Sequence, residues 1–282
     1  MSMLVSVIRA VEGRLARRVI VAEVLVDHYD RAVFRSSDPD LGEVVVKAQT
    51  AIVDLAVEVE GMRAAESAGV PVPAVLAHFD TTEFAVLMIP WTAGNPLGPE
   101  NPDADWHRAG AVLRRLHDHP PPAGLPTLFG GGDESTPVLY RPGPVGALPD
   151  PIRHRLAELT ARAMAAPQAP GRLLHGDLSP DHLLFHDGRV AAVIDFGLAR
   201  TGDPVWDLVR LTMWHRGRLS TVLDGYRATR AFRHHVRRLY EPFTVAHHLA
   251  ACDWLIDHDI DPTPTVRELT RIATEYPPRP TI

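Results

Sequence analysis

An α+β fold of two lobes is what the sequence predicts: a small antiparallel β-sheet lobe with one main helix, then a mostly helical lobe. Three observations predict it. Three strand-like runs come before the first long amphipathic helix and two more follow it. After residue 96 the apolar spacing turns helical. That helical stretch is interrupted by a hairpin whose two ends each carry an aspartate.

The elements follow in order. Met1 to Leu15 alternates apolar and charged residues, lacks the apolar core of a signal peptide and reads as a short amphipathic helix. Val19 to Val26 and Arg31 to Arg35 read as strands joined by the turn Asp27-His28-Tyr29-Asp30, and a polar turn over 36–42 leads into the strand holding Lys47. Asp54 to Ala68 places Leu55, Val59, Met62 and Ala65 at helical spacing, and Gly69 ends it before Val70-Pro71-Val72-Pro73. Val75 to Phe79 and Phe84 to Ile89 complete a five-stranded sheet. The boundaries are 1–88 for the small lobe, 89–95 for the crossing and 96–282 for the large lobe. Trp106 to His117 puts Trp106, Ala109, Val112, Leu113 and Leu116 on one side of a helix. Eight prolines and six glycines over 118–150 read as a surface excursion, and the rest is helical apart from the hairpin.

Composition excludes several classes. The chain has 282 residues, 45% of them hydrophobic, and a net charge of −6, which is not the basic footprint of a nucleic-acid binder. No apolar run reaches the roughly 18 residues a membrane span requires. With Cys252 as the only cysteine an internal disulfide is impossible, which points to a reducing cytoplasm; a monomer is expected. The fifteen histidines, among them His234-His235 and His247-His248, show no zinc spacing with cysteine.

The chemistry lies in two segments, His175-Gly176-Asp177-Leu178-Ser179-Pro180-Asp181-His182 and Ile194-Asp195-Phe196-Gly197. Their aspartates are eighteen residues apart, the span of a short hairpin: Leu183-Leu184-Phe185, a turn over 186–189, then Val190 to Ile194. Such a hairpin brings Asp177 and Asp195 to one cleft. Phosphoryl transfer needs one carboxylate to receive the proton of an attacking hydroxyl and another to hold a divalent ion on the phosphates. A second signal is compositional. Of 29 basic residues only Lys47 is lysine. Where charge alone matters arginine has replaced lysine, so the one that stays marks a site needing a compact ammonium.

Taken together these segments resemble the H-G-D-x-x-x-x-N and D-F-G motifs of the aminoglycoside phosphotransferase and choline kinase group, small-molecule kinases with a protein-kinase-like fold. Leu116-His117 and Gly202-Asp203-Pro204-Val205-Trp206-Asp207-Leu208 resemble further stretches of that group. The resemblance implies a nucleotide-binding lobe over 1–88, a hinge over 89–95 and a catalytic, acceptor-binding lobe over 96–282. It implies Asp177 as catalytic base with His175 and Gly176 shaping its loop, Asp195 as Mg²⁺ ligand and Asp207 as a structural brace. Lys47 would contact the donor phosphates, and Glu58, on the helical face of Leu55 and Met62, is its expected partner rather than Glu60. The base of ATP or GTP would bond hinge backbone near Ile89 and Trp91, since Pro90 has no N–H.

His182 departs from the pattern, because asparagine is usual five positions after the base. Mg²⁺ is hard and takes nitrogen poorly. Direct ligation with better tolerance of Mn²⁺, a hold on a metal-bound water, or loop support are open to His182. The aminoglycoside 2″-phosphotransferases are similar in having histidine here, which implies a role at the metal. The turn over 27–30 lacks the glycines that often cover phosphates.

For the acceptor, Asp181, Glu241, Asp253, Asp257 and Asp259 are the acidic candidates, and Asp253 and Asp257 share a helical face beside Trp254. The resemblance then implies nucleotide-dependent phosphorylation of a small cationic antibiotic, an aminoglycoside or a tuberactinomycin-type peptide. A metabolic kinase of choline, sugar or fructosamine type, or a nucleotide-binding pseudokinase, are the alternatives.

Overall fold

The computed structural model describes residues 3–16, 18–28, 30–50, 55–129, 143–165 and 171–275. An antiparallel sheet of β1 (Ile20–Asp27), β2 (Arg31–Asp38), β3 (Gly42–Thr50), β4 (Ala77–Asp80) and β5 (Phe84–Pro90) has the order β1-β2-β3-β5-β4. Its two faces differ because successive side chains point to opposite sides. Phe34, Val44, Val46, Ala48, Val86 and Met88 pack with Val7 and Val11 of α1 (Met3–Leu15). Ala85 and Leu87 point the other way, into a core with Leu55 and with Val59, Met62 and Ala65 of α2 (Ala56–Ser67). Lys47 alternates with Val46 and Ala48, so it too faces α2. Asp54, the expected start of that helix, lies outside the described residues.

Beyond β5 the chain forms β6 (Asn95–Pro96), which pairs with the hairpin, and then α3 (Asp103–Asp118). Most of the proline-rich stretch, 130–142, lies outside the described residues; α4 (Asp150–Met164) follows it. The hairpin is β8 (Leu183–His186) with β9 (Arg189–Val193). Its turn residues Asp187 and Gly188 have φ of 47° and 67°, the left-handed pair of a two-residue type I′ connection. A three-residue ladder joins β7 (Arg172–Leu174) to β10 (Arg200–Gly202). The helical reading of this region lacked β10, which is too short to carry a period.

Among the described residues four α-helices follow: α5 (Val205–Thr212), α6 (Leu219–Gly225), α7 (Arg230–Asp257) and α8 (Thr263–Glu275). Thr229 starts α7 by accepting a hydrogen bond from Phe232 N–H at 3.2 Å. Pro242 lies inside α7 and cannot donate to the Arg238 carbonyl; Arg162 of α4 donates to that carbonyl instead, at 3.4 Å. No helix among the described residues is long and apolar enough to cross a membrane. Cys252 is fully buried on α7, and burial pushes its thiol up to about 11.

Two histidines of α7 make stability depend on pH. The His247 ring packs tilted against Trp206 with centroids 3.6 Å apart and donates Nε2–H to the Trp206 carbonyl; burial pushes it down to about 3. Burial also pushes His248 down to about 4. Both fold as neutral rings while the unfolded chain binds protons from about pH 6.5 downward. Stability is therefore full above that pH and falls as pH drops toward the folded values. At pH 5 each histidine costs about 2 kcal/mol relative to pH 7. Thermal unfolding of the parent and of His247→Gln across pH 7 to 5 checks this: the variant has the shallower slope, and parallel slopes refute it.

Candidate active site

Two loops meet at the ends of the hairpin. Asp177 leaves β7 and Asp195 leaves β9, while Ile194 N–H donates to the His182 carbonyl at 3.0 Å and ties the two loops together. Asp195 itself has a φ of 65°, uncommon for a residue with a side chain and a form of strain that collects at functional sites.

The Asp177 loop hangs from a buried carboxylate. Asp207, on α5 with no exposed surface, accepts from the backbone N–H of His175 at 2.8 Å and of Gly176 at 2.9 Å. His117, at the end of α3, stands 3.1 Å from the same carboxylate through Nε2. Burial opposes ionisation of Asp207, but these bonds outweigh it and hold the carboxyl below its usual range. The Leu116-His117 pair therefore fills a structural position. Gly176 has a φ of 88°, and a Cβ there would lie 1.8 Å from the Leu198 carbonyl oxygen, so no larger residue fits. His175 is wholly buried and held neutral by burial; it donates Nε2–H to the Ile194 carbonyl and packs on Phe196 at 4.5 Å.

Lys47 connects the sheet to the second loop. Its Nζ lies 2.7 Å from Glu58 Oε2 and 2.8 Å from Asp195 Oδ1. Burial alone would lower this ammonium, but the two carboxylates outweigh burial and raise it above its ordinary value. Asp195 is held well below the carboxylate range, with Lys47 and His182 overcoming its burial. Glu60, the other acidic candidate on α2, is exposed. Glycine at 61 lets α2 approach this loop: a Cβ there would meet Ala199 Cβ at 2.6 Å.

His182 faces the same loop. Its Nδ1 lies 2.8 Å from the Asp177 carbonyl, which can only accept, so Nδ1 donates to it, and Nε2 offers a lone pair whenever the ring is neutral. That Nε2 is 3.7 Å from Asp195 Oδ2. One nitrogen and one oxygen donor at this spacing, with Oδ1 already on Lys47, are able to hold a single divalent ion between them.

Sequence reasoning missed Arg210. From α5 it donates Nε–H to Asp177 Oδ1 at 2.5 Å, so one of the two carboxylate oxygens is occupied. Its position carried a signal: Arg210 follows Asp207 by three on one helix face, and Asp207 binds the same loop.

Two expectations need correction. Glu241 is not a free anion for an acceptor, because Arg216 grips it through two hydrogen bonds of 2.5 and 3.2 Å. The N–H of Trp91 is not available to a nucleotide base, because it donates to the Glu43 carbonyl at 2.8 Å and extends the β3–β5 ladder. Ile89 sits in that ladder opposite Val45. Of the other acceptor candidates, Asp181 is exposed on the turn before His182, and Asp253, half-buried, and Asp257 and Asp259, exposed, lie at the end of α7.

Comparison with known proteins agrees with this architecture. A choline/ethanolamine kinase family protein from Mesorhizobium loti superposes with a TM-score of 0.71, at 21% identity over 96% of this chain and 94% of that one. A spectinomycin phosphotransferase solved with ADP and spectinomycin gives 0.72 at 11% identity, covering 98% of each chain. Homoserine kinase from Pseudomonas aeruginosa is 34% identical over 109 residues, 38% of this chain; the chain spans about a third of that relative's length. The model of the phosphotransferase enzyme family (APH) matches residues 22–240. On that match the chain belongs to the phosphotransferase enzyme family.

Proposed function

We propose that the protein transfers the γ-phosphate of ATP or GTP to a hydroxyl of a small cationic molecule. The observation that carries this reading is the Lys47 ammonium bonded at once to Glu58 and Asp195, with His182 Nε2 beside Asp195 and Asp177 on the adjoining loop. In it, residues 1–88 and the hinge 89–95 hold the nucleotide, and 96–282 supply catalysis and the acceptor site. Lys47 binds donor phosphate oxygens, held in place by Glu58. Asp177 takes the acceptor hydroxyl's proton on the oxygen that Arg210 leaves free, and Arg210 fixes that carboxylate's orientation. Asp195 and His182 are the residues that would hold Mg²⁺ or Mn²⁺, which when bound offsets negative charge on the phosphates.

For the acceptor we favour an aminoglycoside or a tuberactinomycin-type peptide, with resistance or self-protection as the role. Asp181, Asp253 and Asp257 are its proposed contacts, since ammonium groups seek carboxylates. The spectinomycin-bound fold relative is consistent with this. The partial match to homoserine kinase favours a second reading, a metabolic kinase for a small amino alcohol or sugar. Coupled nucleotide turnover with ATP and GTP across aminoglycosides, tuberactinomycins, choline, homoserine and sugars, beside Asp177→Ala, separates the two. Turnover with the antibiotics that vanishes in the variant is the expected result. Turnover on homoserine, choline or sugars alone selects the metabolic reading, and nucleotide binding without turnover makes the chain a pseudokinase.

His182 gives a narrower prediction. Replacing it with asparagine exchanges a nitrogen donor for an oxygen donor, and Mg²⁺ prefers oxygen. The ratio of Mg²⁺- to Mn²⁺-supported turnover rises about tenfold in His182→Asn. An unchanged ratio confines His182 to supporting the loop.

A further inference from the structure

The turn between β1 and β2 reaches the far end of α7. His28 and Asp30 stand there beside His258, and one donor atom from each lies within 4.8 Å of the other two. His28 Nδ1 and Asp30 Oδ1 are 2.6 Å apart. The rings of His28 and His258 stack with centroids 5.6 Å apart, and His258 stacks on Trp254 at 4.2 Å. His258 Nδ1 lies 2.8 Å from the Trp254 carbonyl and donates to it, so in the neutral ring Nε2 is the nitrogen with the lone pair. A neutral imidazole whose second nitrogen is anchored to a backbone carbonyl is the form in which histidine binds transition metals. Among the described residues no other three histidine, cysteine, aspartate or glutamate side chains bring donor atoms this close.

We propose that His28, Asp30 and His258 form a Zn²⁺ site that fastens the β1–β2 turn to the end of α7. Two imidazoles and one carboxylate match the zinc donor set, with water in the fourth position. Mg²⁺ would want six oxygens and is excluded. Neighbouring ligands on tetrahedral zinc stand about 3.3 Å apart, so small side-chain rotations that part the hydrogen-bonded His28–Asp30 pair and bring all three donors to that spacing complete the site. The site joins segments separated by more than two hundred residues, so a bound ion fixes the turn against the end of α7. The inference concerns metal binding and does not rest on the phosphotransferase reading.

The test is titration of the metal-stripped full chain with Zn²⁺ against a chromophoric chelator in excess Mg²⁺, repeated with Co²⁺ for its visible spectrum. One equivalent is expected, with a four-coordinate Co²⁺ spectrum. His28→Ala and His258→Ala each weaken it roughly tenfold or more, and Asp195→Asn leaves it unchanged. His28 is exposed, so its replacement does not threaten folding, and melting of the metal-free variants checks this. An equivalent that survives both histidine substitutions, one that disappears in Asp195→Asn, or no stoichiometric binding would each overturn the site.

Discussion

Asp177→Asn lowers acceptor-dependent turnover by about 10³- to 10⁴-fold while nucleotide affinity stays close to that of the parent. The size follows from what a positioned base contributes to proton transfer, at the upper end because an amide has no basic oxygen. Nucleotide binding is spared because Lys47, Glu58 and Asp195 form their own cluster and none of them bonds the Asp177 carboxylate. The substitution is isosteric, so Arg210 keeps an oxygen to donate to. Arg210→Ala is the informative companion: it leaves the base in place but frees its carboxylate to rotate, so turnover falls while the acceptor-independent nucleotide affinity does not. Single-turnover phosphate transfer together with equilibrium nucleotide binding decides the matter. An Asp177→Asn enzyme within tenfold of the parent would remove Asp177 from the chemistry.

Lys47→Ala costs both stability and nucleotide binding. Glu58 is only 3% exposed, and removing its ammonium leaves a buried carboxylate without a cation. Breaking a buried pair from one side costs about 3–5 kcal/mol, a fall in melting temperature of roughly 10 °C for a chain of this size. Adding Glu58→Leu removes the stranded charge, so the double variant regains most of the lost stability and none of the nucleotide affinity. Lys47→Arg does not rescue binding, since a planar fork cannot sit between two carboxylates that converge on one ammonium nitrogen. Calorimetric melting of the parent, Lys47→Ala, Glu58→Leu and the double variant checks the coupling, and additive losses would show that Lys47 and Glu58 act independently.

What could be read from the chain is what its local physics fixes. The hairpin announces itself through two short apolar runs about an Asp-Gly turn, and that alone brings the two loop aspartates together. Helical phase separates Glu58 from Glu60, because one faces the sheet and the other water. The pairings that escaped depend on distant partners. Glu241 read as a free charge because its partner Arg216 is twenty-five residues away and belongs to another element. Arg210 reaches Asp177 only because α5 packs beneath the loop. The Trp91 N–H was expected to be open, but β5 continues its ladder one residue past the proline. Strand β10 exists through pairing with β7 and carries too few residues to declare itself.

Burial of the lone thiol has a practical consequence. Cys252 has no exposed surface and its thiol is poorly ionised at neutral pH, so maleimide reagents find no ready target in the folded chain. A cysteine placed at His186, on the exposed end of the hairpin opposite the two aspartates, would be the sole reactive group. A single dye attached there, without first stripping out native cysteines, turns the same hairpin that carries the candidate site into its optical reporter.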